Sequence, residues 1–177
     1  MAIEDPRQRV ALSGVVASLF FSFSYILIAG LYLKFDMPIM DNVVSKLVFA
    51  IYCSAFAALP LMLGQLAVVV RKLLQLESLD GEFVQVGSRL DIHMQFVNET
   101  TNHLLLFVIT LLNLAPFLEG DFLRLMPAMT SWFIVGRMCN WFAHLISPPY
   151  RVFGSAATLA PSVFFLCLCI AHLLRWL

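Results

Sequence analysis

The sequence predicts an all-α integral membrane protein, built as a single membrane domain over residues 1–177 with five transmembrane helices. Three observations carry this. Hydrophobic residues make up 61% of the chain and charged ones 12%, against about 25% charged in soluble domains, and the mean hydropathy is +0.89. Five stretches, 10–33, 47–70, 95–118, 122–145 and 153–174, reach the roughly 20 helical residues needed to cross about 30 Å of hydrocarbon. None alternates with period two, so helices rather than a barrel are expected.

Taken in order, residues 10–33 follow Arg7 and Arg9 as a signal sequence would. The run is longer than the roughly 7–15 apolar residues of a signal peptide and more spans follow it, so an uncleaved anchor is predicted. The connection from Lys34 to Lys46 holds Asp36, Pro38 and Asp41. Residues 47–70 are again nearly uniformly apolar, and 71–90 form the longest polar segment, with Glu77, Asp80 and Glu82. The third run, 95–118, opens on Gln95, Asn98, Glu99, Asn102 and His103. A tight hairpin at Glu119-Gly120-Asp121 leads to the fourth, 122–145, which Ser147-Pro148-Pro149 ends because neither proline can extend a helix. The fifth run, 153–174, is nearly uniformly apolar.

With five crossings the N-terminal tail and the second and fourth loops share a side carrying Arg7, Arg9, Arg71, Lys72, Arg89 and Arg151. Lys34, Lys46, Arg124 and Arg175 lie opposite. The excess places the N-terminus in the cytosol. Zero formal net charge gives no reason to expect a nucleic-acid partner. Cys53, Cys139, Cys167 and Cys169 form no C-x-x-C pair and lie in apolar runs, where a thiol behaves as a small hydrophobe. The four histidines lack metal-ligand spacing, so no metal is predicted. Asn98-Glu99-Thr100 matches a glycosylation sequon on the cytosolic side and reads as accidental.

The polar residues inside the third and fourth runs are the candidate site. Arg137, Asn140 and His144 stand at i, i+3 and i+7 and so share one helix face. An ionisable residue there costs roughly 2.5–3.5 kcal/mol on insertion scales and normally faces a protein interior or wet cavity. Gln95, Asn98 or Glu99, and Asn102 form a second stripe near the same membrane surface, and Glu99 is the expected partner of Arg137. Two readings follow: a polar clamp fixing helix packing, or a pocket for an anionic ligand with arginines gripping a carboxylate or thiolate.

Asn98-Glu99 on one helix, and Arg137 through Pro148-Pro149-Tyr150-Arg151 on the next, resemble the MAPEG superfamily, the membrane-associated proteins in eicosanoid and glutathione metabolism. Leu112-Asn113-Leu114, Gly136-Arg137 with Trp141, and Arg151-Val152-Phe153-Gly154 with Thr158 and Pro161 are most similar to its divergent mattrin-like branch. The resemblance covers 47 to the C-terminus. It implies a MAPEG-type four-helix bundle over 47–174, an extra N-terminal helix over 10–33, a homotrimer, and glutathione held between subunits in the enzymes.

The enzymes' Arg-x-x-x-Asn-x-x-Glu motif is incomplete here. With Asn98 as its asparagine the outer positions hold Met94 and Thr101; with Asn102 they hold Asn98 and Leu105. Arg137 fits the family arginine, while Asn140 and His144 stand where enzymes often carry tyrosines. Arg151 matches the arginine that stabilises the glutathione thiolate in some members, and Arg71 or Lys72 stands where another member keeps its general acid. Charge-assisted bonds contribute roughly 1.5–3 kcal/mol each and micromolar binding about 8 kcal/mol, so losing two or three anchors removes glutathione binding.

The resemblance therefore implies a non-enzymatic mattrin-like protein without a cofactor. It would act in secretory and endolysosomal membranes (ER, Golgi, lysosome), in vesicle trafficking and in the turnover of Frizzled-type Wnt receptors, with a membrane receptor or trafficking protein as partner. Two alternatives remain: a glutathione-dependent transferase or peroxidase using Arg151 and Arg137, and a lipid- or sterol-binding protein. The residues concerned are Gln95, Asn98, Glu99, Asn102, Arg137, Asn140, His144 and Arg151.

Overall fold

The computed structural model describes residues 6–32, 42–74, 88–146 and 151–175, and their regular structure is helical. The helices are α1 (Pro6–Tyr32), α2 (Val43–Ala57), α3 (Leu59–Leu74), α4 (Arg89–Leu114), α5 (Leu125–Ile146) and α6 (Arg151–Leu174). Two short 3-10 segments, Ala115–Phe117 and Gly120–Arg124, join α4 to α5. Four stretches are long and apolar enough to cross a membrane: Leu12–Gly30, Val43–Leu74, Arg89–Phe117 and Val152–Leu174. The protein is an all-α integral membrane protein. The fourth run of the sequence is α5, a 22-residue helix about 33 Å long at 1.5 Å per residue, which carries Arg137, Asn140 and His144 and is not among those four.

Several boundaries differ from those the sequence suggests, each for a local reason. The second run spans two helices interrupted at Ala58, because Pro60 has no N–H and its ring crowds the carbonyl four residues back. Ala58 N–H turns instead to the carbonyls of Ser54 and Ala55, at 3.1 and 3.2 Å. Lys46, assigned to the first loop, lies in the opening turns of α2 and is 8% exposed. The third helix starts at Arg89, six residues before Gln95, since Ser88 caps it by accepting from Asp91 N–H at 3.2 Å. Glu99 therefore lies nearly three turns inside, about 15 Å from the helix start, rather than at its mouth. The hairpin consists of the two 3-10 turns, with Gly120 at φ +52°, a left-handed conformation glycine adopts without strain. Asp121 and Arg124 pair there at 3.0 Å, and α5 begins at Leu125, after Phe122.

Packing settles how the helices run. His93 near the start of α4 meets Trp141 near the end of α5, while Phe117 just past α4 meets His172 near the end of α6. Hence α4 and α6 run together and α5 runs against both. The core between them holds Phe107 stacked on Phe133 at 4.5 Å, with Leu111, Met126, Met129, Ile26, Ala50 and Cys53.

Helix α1 is part of this bundle, held through a device that begins with a proline. Pro161 inside α6 cannot donate to the carbonyl of Ala157, which its missing N–H would have met. That carbonyl accepts instead from Trp132 Nε1–H of α5 at 2.9 Å and from Ser22 Oγ of α1 at 3.1 Å. Tyr25 adds a hydroxyl bond to Ser131 at 3.0 Å and lies against the Trp132 ring. In a membrane interior such bonds satisfy groups that water cannot reach.

Candidate functional site

Helices α5 and α6 approach unusually closely, and that approach creates the site. A Cβ on Gly154 would lie 2.6–2.8 Å from the Cβ, Cα and N of Asn140; one on Gly136 would lie 2.6 Å from Thr158 Cγ2. Gly136 with Asn140, and Gly154 with Thr158, are each four residues apart. The two helices thus interlock small positions in the manner of membrane helix pairs that bring backbones together.

This contact encloses the arginine face. Arg137 and Asn140 are 0% exposed and His144 is 7% exposed, so the face identified from i, i+3, i+7 spacing is the buried one. Arg137 Nη2 donates to Ser155 Oγ of α6 at 3.5 Å, and Ser155 Oγ donates to Glu99 Oε2 of α4 at 3.4 Å. Glu99 is also the opposite charge that Arg137 senses electrostatically. The structure therefore brings together the two charges the sequence pairs, with a serine from a third helix between them.

The stripe on α4 does not hold together as one site. Only Glu99 turns toward Arg137. Gln95 donates to Asp91 at 3.1 Å, one turn earlier on its own helix. Asn98, Thr101 and Asn102 are exposed on the outer surface, and Thr101 returns its hydroxyl to the Val97 carbonyl. Thr100, which would complete the sequon, is fully buried in mid-helix. Arg151 is the first residue of α6; its side chain, and Pro148, Pro149 and Tyr150, lie outside the described residues.

Two histidines frame the cluster. Trp141 Nε1–H donates to His93 Nδ1 at 3.0 Å. An indole nitrogen only donates, so His93 carries its hydrogen on Nε2. His103 Nδ1 shares a hydrogen bond with Thr158 Oγ1 at 3.0 Å, and the hydroxyl also lies 3.2 Å from the Gly154 and Ser155 carbonyls. Trp141 is also stacked on Phe96 at 4.9 Å.

Sequence reasoning did not single out Ser155 or Thr158 as site residues, because both sit in an apolar run. The signal that would have found them is the run of small residues on α6, Gly154-Ser155 followed by Thr158 four positions after the glycine. Among the described residues no group of histidine, cysteine and acidic side chains is placed to hold a metal. Chemically the cluster is a charge pair bridged by a hydroxyl inside a helix crossing.

The chain is similar to Transmembrane protein 79 of Mus musculus, at 31% identity over 151 residues, covering 85% of this chain and 38% of that protein. It is similar also to Transmembrane protein 79 of Bos taurus, at 30% identity over 130 residues, covering 73% and 32% respectively. The chain thus spans well under half of the length of the curated relatives it matches. No family model and no solved structure matches it.

Proposed function

We propose that this chain is a non-enzymatic, mattrin-like membrane protein on a MAPEG-type scaffold that has lost glutathione chemistry. It crosses the bilayer five times, α2 and α3 together making one crossing and α5 another, with the N-terminus in the cytosol, and the chain assembles as a homotrimer. It works in secretory and endolysosomal membranes on trafficking and on the level of Frizzled-type receptors, through a membrane-protein partner. The likeness to mammalian Transmembrane protein 79 supports a multi-pass membrane protein, and the quoted motifs supply the rest of the reading.

The observation that carries the loss of chemistry is the state of Arg137. It is 0% exposed, hydrogen-bonded to Ser155 and linked through that hydroxyl to Glu99 of its own chain, so the cation that would grip a glutathione carboxylate is already engaged. Two clefts on the molecule, of about 470 and 480 Å³, are lined by neither Arg137, Glu99 nor Asn140. Asn102, exposed on α4 at membrane depth, is a polar group that a partner helix would cover, which supports self-association.

Glutathione calorimetry on the purified protein in nanodiscs tests the reading. No binding up to millimolar concentration, from a well-folded oligomer, is the expected result. Micromolar binding that disappears in Arg137→Ala and Arg151→Ala would replace it with a glutathione-dependent transferase or peroxidase. Mass measurement in detergent checks the trimer, and a monomer would overturn it.

A further inference from the structure

We propose that the α3–α4 face binds one anionic glycerophospholipid, its phosphate on a basic rim and an acyl chain in the apolar cleft beneath. The proposal stands apart from the MAPEG reading, since it uses neither Arg137 nor any glutathione motif.

The cleft lies between two helix faces defined by spacing. Gln65, Val68 and Val69 on α3 and Met94, Val97 and Asn98 on α4 line it, with a volume of about 480 Å³, within the roughly 300–1,000 Å³ of small-molecule sites. Gly64 lets the helices approach, since a Cβ there would lie 2.8 Å from the Phe96 ring. The lining surface is mostly apolar, with Gln65, Asn98 and Thr101 as its polar members, and much of it is exposed on the outer surface of a membrane-spanning pair.

The rim is cationic. Lys72 continues the α3 face, standing at i+3 from Val69, i+4 from Val68 and i+7 from Gln65, and it is exposed. Arg71 beside it and Arg89 at the start of α4 both lie close enough to His93 to interact with it electrostatically, as does His144 of α5. The last turn of α3 and the start of α4 thus bring Arg71, Lys72 and Arg89 to one end of this helix pair. Asp91 is the described carboxylate there, and it already accepts from Gln95. The free N–H groups of α4 add positive potential.

Each half of this arrangement excludes one simpler occupant. A sterol fits an apolar cleft but makes no use of Arg71, Lys72 and Arg89. A soluble phosphate satisfies the cations but leaves the cleft facing hydrocarbon unfilled. An anionic lipid satisfies both, and basic pockets between helices on the cytoplasmic side are where such headgroups bind.

Native mass spectrometry of the full chain in mild detergent tests this with phosphatidylserine, phosphatidylcholine, cholesterol and glycerol 3-phosphate as separate probes. One phosphatidylserine should be retained at least tenfold more tightly than phosphatidylcholine, with glycerol 3-phosphate and cholesterol failing to displace it. Lys72→Gln, on the exposed surface, should lower that preference roughly fivefold, in line with about 1 kcal/mol per cation near a membrane surface. Val69→Trp, at an exposed position, should fill the cleft and remove the lipid while thermal unfolding stays unchanged. Equal retention of the two phospholipids, displacement by glycerol 3-phosphate or cholesterol, or a preference indifferent to Lys72→Gln would each overturn the proposal.

Discussion

Arg137 shows how one residue can organise a membrane protein. A guanidinium at membrane depth is costly unless acceptors and opposite charge meet it, and here Ser155 accepts from it and passes a hydrogen bond on to Glu99, the two coming from two other helices. Breaking such a pair from one side leaves the other charge uncompensated, which costs about 3–5 kcal/mol when fully buried. Because Glu99 is half-buried, Arg137→Leu should destabilise by about 3 kcal/mol in denaturant titration. The double variant Arg137→Leu with Glu99→Leu should recover at least about 1 kcal/mol of that loss. Strictly additive effects would show that Glu99 is not the partner. His93 offers a second test at this scale. Nitrogen NMR of labelled protein should place the hydrogen of His93 on Nε2, since the Trp141 indole can only donate to Nδ1. A hydrogen on Nδ1 of His93 would contradict the Trp141 bond.

At the scale of elements, the crossing of α5 and α6 depends on two missing side chains. Gly154→Ala puts a methyl 2.6–2.8 Å from Asn140 backbone and Cβ atoms, which α6 can relieve only by moving away and loosening the Arg137–Ser155–Glu99 bridge. A loss of about 1–3 kcal/mol is expected, the cost of overpacking. Gly14→Ala is the control, because its nearest neighbour would be Phe153 Cβ at 3.9 Å; it should shift stability by less than about 0.5 kcal/mol. Similar melting temperatures for the two variants would argue against the close crossing. The α1 attachment works by the opposite logic, a missing N–H at Pro161 making the Ala157 carbonyl available to Trp132 and Ser22.

For the whole molecule the open question is topology, and it is measurable. If α1, the α2–α3 pair, α4, α5 and α6 each cross once, the N-terminal end of α1 and Arg175 lie on opposite sides. Single cysteines introduced near each end, in a background lacking the four natural ones, should react with an impermeant maleimide from opposite faces of sealed vesicles. Labelling from the same face would remove one crossing, and α5 would be the helix to doubt, since it is not among the four stretches long and apolar enough to cross.

Composition and run length were enough to determine that this is a helical membrane protein and where most of its helices lie, because about 20 apolar residues have few alternatives in water or lipid. Helical spacing likewise identified the buried face of Arg137, Asn140 and His144, since burial of a polar face follows from its cost. The tertiary structure decided which polar residues meet. Asn98 and Asn102 share a stripe with Glu99 along the sequence, yet 100° per residue turns Glu99 inward and leaves the asparagines outside. Ser155, Thr158 and His103 join the cluster only because glycines let α6 come within contact of α5. Such partners lie tens of residues apart, and no local pattern ranks one distant hydroxyl above another until the helices are packed.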